Sequence, residues 1–176
     1  MDELTAVVIR EATVADAPLV AELAARLFEQ TFGPVNTPED MAFYLANTFS
    51  VDRQAAELSD PDRSTLLAFD DTGTAIGFAM MRRGSRSNGI VGERPVEIQR
   101  IYADRSMHGR GLGHRLMNSC VEQVRAWTGD VLWLAVWEKN ARAIAFYTRV
   151  GFTAVGVQDF VLGSDVQHDL VMSRGV

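Results

Sequence analysis

The order of periodic segments predicts a mixed α/β sheet with flanking helices rather than a regularly alternating doubly wound fold. Three observations carry this. The chain opens with helical periodicity after one short strand, then changes at Ser64 to strand-like alternation around a turn. Val131–Val136 is almost continuously apolar and sits between two helical segments, as a central buried strand does. The C-terminal part reads as a closing hairpin.

Taken in order, Val7–Ile9 is a short apolar strand. Thr13 and Asp16 are helix caps ahead of Leu19, Val20, Leu23, Leu27 and Phe28, which recur at helical spacing. Thr37-Pro38-Glu39-Asp40 opens a second helix: Thr37 caps, Pro38 suits the first turn, and the two acids meet the positive end of the dipole. Ser50 caps a third short helix running to Leu58. Thr65–Phe69 and Thr74–Arg83 flank the hairpin turn Asp70-Asp71-Thr72-Gly73. Gly84–Pro95 is a loop rich in Gly, Ser and Arg, and Val96–Ala103 is the next strand. A helix from Gly111 to Trp127 carries Leu112, Leu116, Cys120, Val124 and Trp127 on one face. Ala141–Val150 is helical and Gly151 ends it. Thr153–Leu162 and Val166–Ser173 close the chain around Gly163-Ser164-Asp165.

The 176 residues fit a single domain, 1–176, and 47% hydrophobic against 23% charged residues is enough to build one core. A net charge of −6 argues against a nucleic-acid partner, because phosphate binding draws on accumulated Lys and Arg. Cys120 is the one cysteine, and it lies among Leu116, Met117, Val121 and Val124, so it reads as a buried inert thiol. His108, His114 and His168 lack metal-ligand spacing, so no metal site is expected. Met1–Arg10 holds Asp2 and Glu3 and no long apolar stretch, and no apolar run is long enough to cross a bilayer. A soluble, cytoplasmic protein with no membrane partner is expected.

The most informative segment runs from Val96 to Gly113, where a strand leads into Gly109, Gly111 and Gly113 and a helix follows at once. Alternate glycines let backbone N–H groups turn toward one anion, and the helix N-terminus adds partial positive charge. A pyrophosphate suits such a loop. A nucleoside-triphosphate loop would need Gly-Lys-Ser/Thr after Gly113, and a dinucleotide fingerprint read from Gly109 would need glycine at His114; neither is present.

His108-Gly109-Arg110-Gly111-Leu112-Gly113 resembles the cofactor motif of the GNAT acetyltransferases, with His108 where Gln or Arg is usual. That resemblance implies a mixed, mostly antiparallel sheet splayed at the cofactor site. Acetyl-CoA, the co-substrate, would lie in the wedge, paired with the edge of Ile101-Tyr102-Ala103. A second segment is Trp137-Glu138-Lys139-Asn140, then Ala141 to Tyr147, then Gly151-Phe152. It is similar to the Asn-x-x-Ala-x-x-x-Tyr and Gly-Phe signature that closes this site, which brings in Asn140, Ala143, Phe146 and Tyr147. Asn140 also reads as a helix cap, and Phe146 leans toward the core. Thr31–Met41, Leu132–Glu138 and Gln167–Leu170 are similar to PaiA-type polyamine N-acetyltransferases.

Acetyl transfer needs a neutral amine, and an alkylamine at neutral pH is almost wholly ammonium. Glu97 resembles a position used as base by some members of the superfamily, although an ion pair with Arg100 would also explain it. Tyr147 looks like the tyrosine that gives a proton to the leaving thiol, and a backbone N–H within Ile101–Ala103 would polarise the carbonyl. Glu29, Glu39, Asp40 and Tyr44 are candidates for meeting a cationic acceptor. The expected partner is a small-molecule amine, a polyamine on the resemblance. A protein or peptide amine and a CoA-binding regulatory module are the alternatives, and the oligomeric state stays open, a homodimer included.

Overall fold

The computed structural model describes residues 7–176, so most of the Met1–Arg10 segment lies outside the described residues. Strands β1 (Val8–Glu11), β2 (Arg63–Phe69), β3 (Ala75–Arg83), β4 (Pro95–Ala103), β5 (Val131–Trp137), β6 (Thr153–Leu162) and β7 (Asp165–Gly175) form one sheet. Their order is β1-β2-β3-β4-β5-β7-β6. Neighbours are antiparallel except β4 and β5, which run parallel. A parallel pair needs a long crossover, and α4 (Leu112–Ala126) supplies it. The mixed, mostly antiparallel sheet expected from the sequence is the one observed.

Helices α1 (Ala17–Phe32), α2 (Pro38–Thr48) and α3 (Val51–Ser59) precede β2, and α5 (Ala141–Arg149) follows β5. Strand alternation divides the apolar residues between two cores. On β2, Leu66 and Ala68 join Leu112, Leu116, Cys120 and Val124 of α4, while Leu67 joins Val20, Leu23 and Leu27 of α1. The sheet is therefore buried on both faces, with α4 and α5 on one and α1 and α2 on the other.

Local chemistry sets the helix starts. Oγ1 of Thr37 accepts from the amide of Asp40 (3.2 Å), Oγ of Ser50 from Arg53 (3.3 Å), and Oδ1 of Asn140 from Ala143 (3.2 Å). Thr13 and Asp16 both stand at N-cap positions, as expected, in two steps. Val14–Asp16 forms a short 3₁₀ turn, with Asp16 Oδ2 accepting from the amide of Thr13 at 2.8 Å, and α1 begins only at Ala17. That helix also runs past Phe28 to Phe32, which carries its aromatic face toward the sheet's open end. Among the described residues, no helix is long and apolar enough to cross a membrane.

Candidate active site

The site begins with a fault in β4. Met80 of β3 faces Arg100 and Met81 faces Ile98, so Gln99 is an extra residue in β4 with no partner on β3. A bulge of this kind bends its strand and raises the local twist. Nη1 of Arg63 fixes it by donating to Oε1 of Gln99 at 2.6 Å. On the other side, β4 and β5 pair from Pro95–Val131 to Ile98–Leu134 and no further. Beyond that point the strands part, and a cleft of about 790 Å³ opens between Ile101-Tyr102-Ala103 and Ala135-Val136-Trp137. Ile101, Tyr102 and Ala103 stay paired to Ala79, Phe78 and Gly77 of β3, so their opposite edge faces the cleft.

The glycine loop forms one end of this cleft. Gly109 and Gly111 adopt φ +78° and +87°, a region closed to most L side chains. A Cβ on Gly109 would meet nothing within 4 Å, so the loop has an open face. Gly111 is the N-cap of α4, whose first amides have no carbonyl one turn before them inside the helix. Gly113 lies under the ring of Phe146, where an added Cβ would stand 3.4 Å away. His108, Gly109, Gly111 and Gly113 all line the cleft. Leu112 is buried in the core beneath α4, the Arg110 amide donates to the carbonyl oxygen of Met107 at 3.2 Å, and neither residue lines the cleft.

His108 is held in one protonation state. Arg142 can only donate, so its Nη1, 2.6 Å away, requires a bare Nδ1, and Nε2–H then donates to the carbonyl oxygen of Ala103 at 3.2 Å. Partial burial and the neighbouring Arg142 charge hold the imidazole below its ordinary pKa of 6.5. Arg105 and Arg142 give this end of the cleft its positive charge.

Helix α5 supplies the adjoining wall. Asn140 caps it, as expected, and Asn140, Ala143, Phe146 and Tyr147 line the cleft. Phe146 serves both readings, since it packs edge-on to His114 and Tyr147 while facing the opening. Tyr147 is 8% exposed, and burial pushes its phenol above the usual tyrosine range.

Glu97 lines the cleft from the paired stretch of β4, before the strands part. Arg100 does not pair with it: Nη1 of Arg100 lies 3.4 Å from Oε2 of Glu57 on α3. The acidic acceptor residues need a larger correction. Of Glu29, Glu39, Asp40 and Tyr44, only Tyr44 lines the cleft. Asp40 instead binds the β6–β7 turn, its Oδ1 accepting from the amide of Ser164 at 3.0 Å, because the hairpin folds back over the start of α2.

Apart from Tyr44 and Tyr102, which the sequence singles out, the residues of the α1–α2 side of the cleft were not foreseen. Phe28, Phe32, Tyr44, Tyr102, Trp137 and Phe160 form an aromatic wall, with Phe32 6.3 Å from Trp137 and 6.5 Å from Tyr102 between ring centres, and Tyr44 5.7 Å from Phe160. Asp169 of β7 stands opposite Trp137 and lines the same space. It is 7% exposed, and its Oδ1 has no hydrogen-bond partner among the described residues. Burial raises its carboxyl to about 6. The signal was present in the alternation of β7, where Gln167 and Asp169 are in phase with buried Val171.

An open strand edge, a glycine loop at a helix N-terminus with two arginines, and a cleft between them suit an extended amide arm ending in a pyrophosphate. The sequence pattern of the acetyltransferase (GNAT) family matches residues 22–152. An uncharacterised N-acetyltransferase of Lactobacillus delbrueckii subsp. lactis is 34% identical over 173 residues, covering 98% of this chain and 99% of that protein. Another uncharacterised N-acetyltransferase, of Mycobacterium tuberculosis strain H37Rv, is 35% identical over 159 residues, covering 90% and 97%. Among solved structures, the PaiA N-acetyltransferase of Thermoplasma acidophilum, in complex with coenzyme A, shares the fold at a TM-score of 0.77. Its identity is 20%, with 98% of this chain and 100% of that one covered. With sequence likeness across nearly its full length and a sheet that parts along the strand leading to the glycine loop, the chain belongs to the GNAT family and is an acetyl-CoA-dependent N-acetyltransferase.

Proposed function

We propose that this enzyme acetylates a primary amine of a small polyamine, by direct attack within a ternary complex. The observation that carries the reading is the course of the cleft. It runs from the cationic glycine loop, through the parted sheet, to an aromatic wall with a buried carboxylate on the α1–α2 side. Aromatic faces and a carboxylate are the groups that receive an alkylammonium. The resemblance of Thr31–Met41 and Gln167–Leu170 to PaiA-type polyamine acetyltransferases points the same way. So does the net charge of −6, which favours approach of a polycation.

Acetyl-CoA supplies the acetyl group already activated as a thioester. Backbone amides of Gly109, Gly111, Leu112 and Gly113 hold its pyrophosphate, the Arg110 amide being engaged with the carbonyl oxygen of Met107 at 3.2 Å, and His108 keeps the loop's entry in place. The free edge of Ile101, Tyr102 and Ala103 binds the pantetheine arm, with a backbone N–H there turned to the thioester oxygen. Asn140, Ala143 and Phe146 close the wall beside it. Tyr147 keeps a proton on its phenol oxygen for the departing thiol.

The test is coenzyme A thiol release with spermidine, simple monoamines, amino acids and a short peptide. Spermidine should show the highest kcat/KM, and its advantage should shrink as salt screens exposed charge beyond ~8–10 Å. A peptide or amino acid better by about tenfold, roughly 1.4 kcal/mol of transition-state preference, would contradict the polyamine reading.

A further inference from the structure

We infer that Asp169 is the group that receives the acceptor's ammonium and takes its proton, so that the amine enters from the α1–α2 face between Asp169 and the aromatic wall. The inference rests on the reading that the acceptor is an amine.

The carboxylate's situation needs explaining on its own terms. A buried carboxylate oxygen without a partner is costly, and native proteins keep such groups satisfied unless a ligand does so. Among the described residues Asp169 has Oδ1 in that state, and the residue lines the large cleft at 7% exposure. Its strand neighbours do not relieve it. Trp137 and Gln158 stand opposite on β5 and β6. Gln167, two residues back on the same face, spends its amide on Asn36 Oδ1 (3.1 Å) and Asp165 Oδ2 (2.8 Å). The missing partner is a donor, and the surrounding rings select a cationic one.

The place also suits the reaction. Asp169, Tyr147 and Tyr102 all line the one cleft. Asp169 approaches from the α1–α2 face and Tyr147 from the α4–α5 core, across the gap where β4 and β5 part. Proton acceptor and proton donor thus stand on opposite sides of one opening. In the transfer an ammonium N–H bond breaks, its electron pair stays on nitrogen, and the proton forms an O–H bond with Asp169. The nitrogen then forms the N–C bond as the C–S bond breaks. Tyr147 gives its phenol proton to the departing sulfur and regains one from the second N–H of the nitrogen, and the proton on Asp169 returns to solvent.

The titratable group beside Asp169 is Tyr102 of β4, while Tyr44 of α2 and Arg100 line the same cleft; burial raises both phenols, which stay neutral. Asp165 shares its strand face, whereas His168 points to the other side and meets Asp159 at 2.8 Å. A carboxyl raised to about 6 in this setting is ionised at neutral pH yet a better proton acceptor than an exposed one.

The experiment compares wild type with Asp169→Asn. In the wild type, kcat/KM for spermidine should rise with pH through about 6. The variant should lose that limb and fall ~10²–10⁴-fold. Spermidine binding by calorimetry without acetyl-CoA should weaken, whereas acetyl-CoA affinity should not. A variant that keeps the limb and the spermidine affinity overturns the proposal alone. A wild type that acetylates no amine overturns the functional reading, and the proposal with it. If circular dichroism shows the variant unfolded, wild-type spermidine binding decides. Affinity that strengthens between about pH 5 and about pH 7.5 supports the proposal, and pH-independent affinity overturns it.

Discussion

Nη1 of Arg142 lies 2.6 Å from Nδ1 of His108, and the opposite ring nitrogen of that histidine meets the carbonyl oxygen of Ala103 at 3.2 Å. The start of α5, the glycine loop and the end of β4 are thereby joined through one neutral imidazole. Protonation would place a cation against Arg142 and remove its acceptor. With the folded pKa below 6.5, the unfolded chain binds more protons in the window between the two values. This contribution is therefore complete above about 6.5 and is lost as pH falls through the folded pKa. The melting-temperature advantage of wild type over His108→Gln should shrink between about pH 7 and about pH 5. A constant difference would mean that the histidine's charge state does not matter.

Tyr147→Phe removes one oxygen and little packing. Turnover should fall ~10²–10⁴-fold, while calorimetric affinity for acetyl-CoA stays near that of wild type. Equal turnover would reduce Tyr147 to a packing residue among Phe146, Phe152 and Cys120.

Cys120 is fully buried on the inner face of α4, and burial pushes its thiol up to about 12. Reactive cysteines are exposed thiolates, so this one should resist a disulfide reagent in the native protein and react once per chain after denaturation. Rapid labelling of the folded enzyme would contradict its placement. Its inertness also means that thiol-release assays should report coenzyme A alone.

Asp40 should matter for stability and not for the acceptor. Its Oδ1 accepts from the amide of Ser164, and a Cβ on neighbouring Gly163, at φ +62°, would come within 2.0 Å of that oxygen. Asp40→Ala and Gly163→Ala should each lower the melting temperature and leave kcat/KM for spermidine unchanged. A selective loss of spermidine activity in the Asp40 variant would return it to the acceptor site.

These cases separate what sequence carries from what it does not. The glycine loop, the caps at Thr37, Ser50 and Asn140, and the buried strand Val131–Trp137 are local, so residue type and spacing reveal them. The bulge at Gln99 depends on how β3 and β4 register, although the three-residue step from Ile98 to Ile101 within the strand hints at it. Asp40 looked like an acceptor contact because its partner, Ser164, is distant in sequence. Asp169 went unassigned because its lack of a partner exists only once Trp137 and Gln158 stand opposite it.

Titration of acetyl-CoA into wild type, Gly109→Ala and Gly111→Val, followed by calorimetry, tests the cofactor site most directly. A methyl on Gly109 meets no protein atom within 4 Å, so it can obstruct only what the loop binds, apart from the roughly 1–2 kcal/mol cost of a left-handed alanine. Wild type should bind acetyl-CoA, and both variants should lose affinity while circular dichroism shows the fold retained. Wild-type affinity in both folded variants would contradict the assignment of Gly109–Gly113 as the cofactor loop.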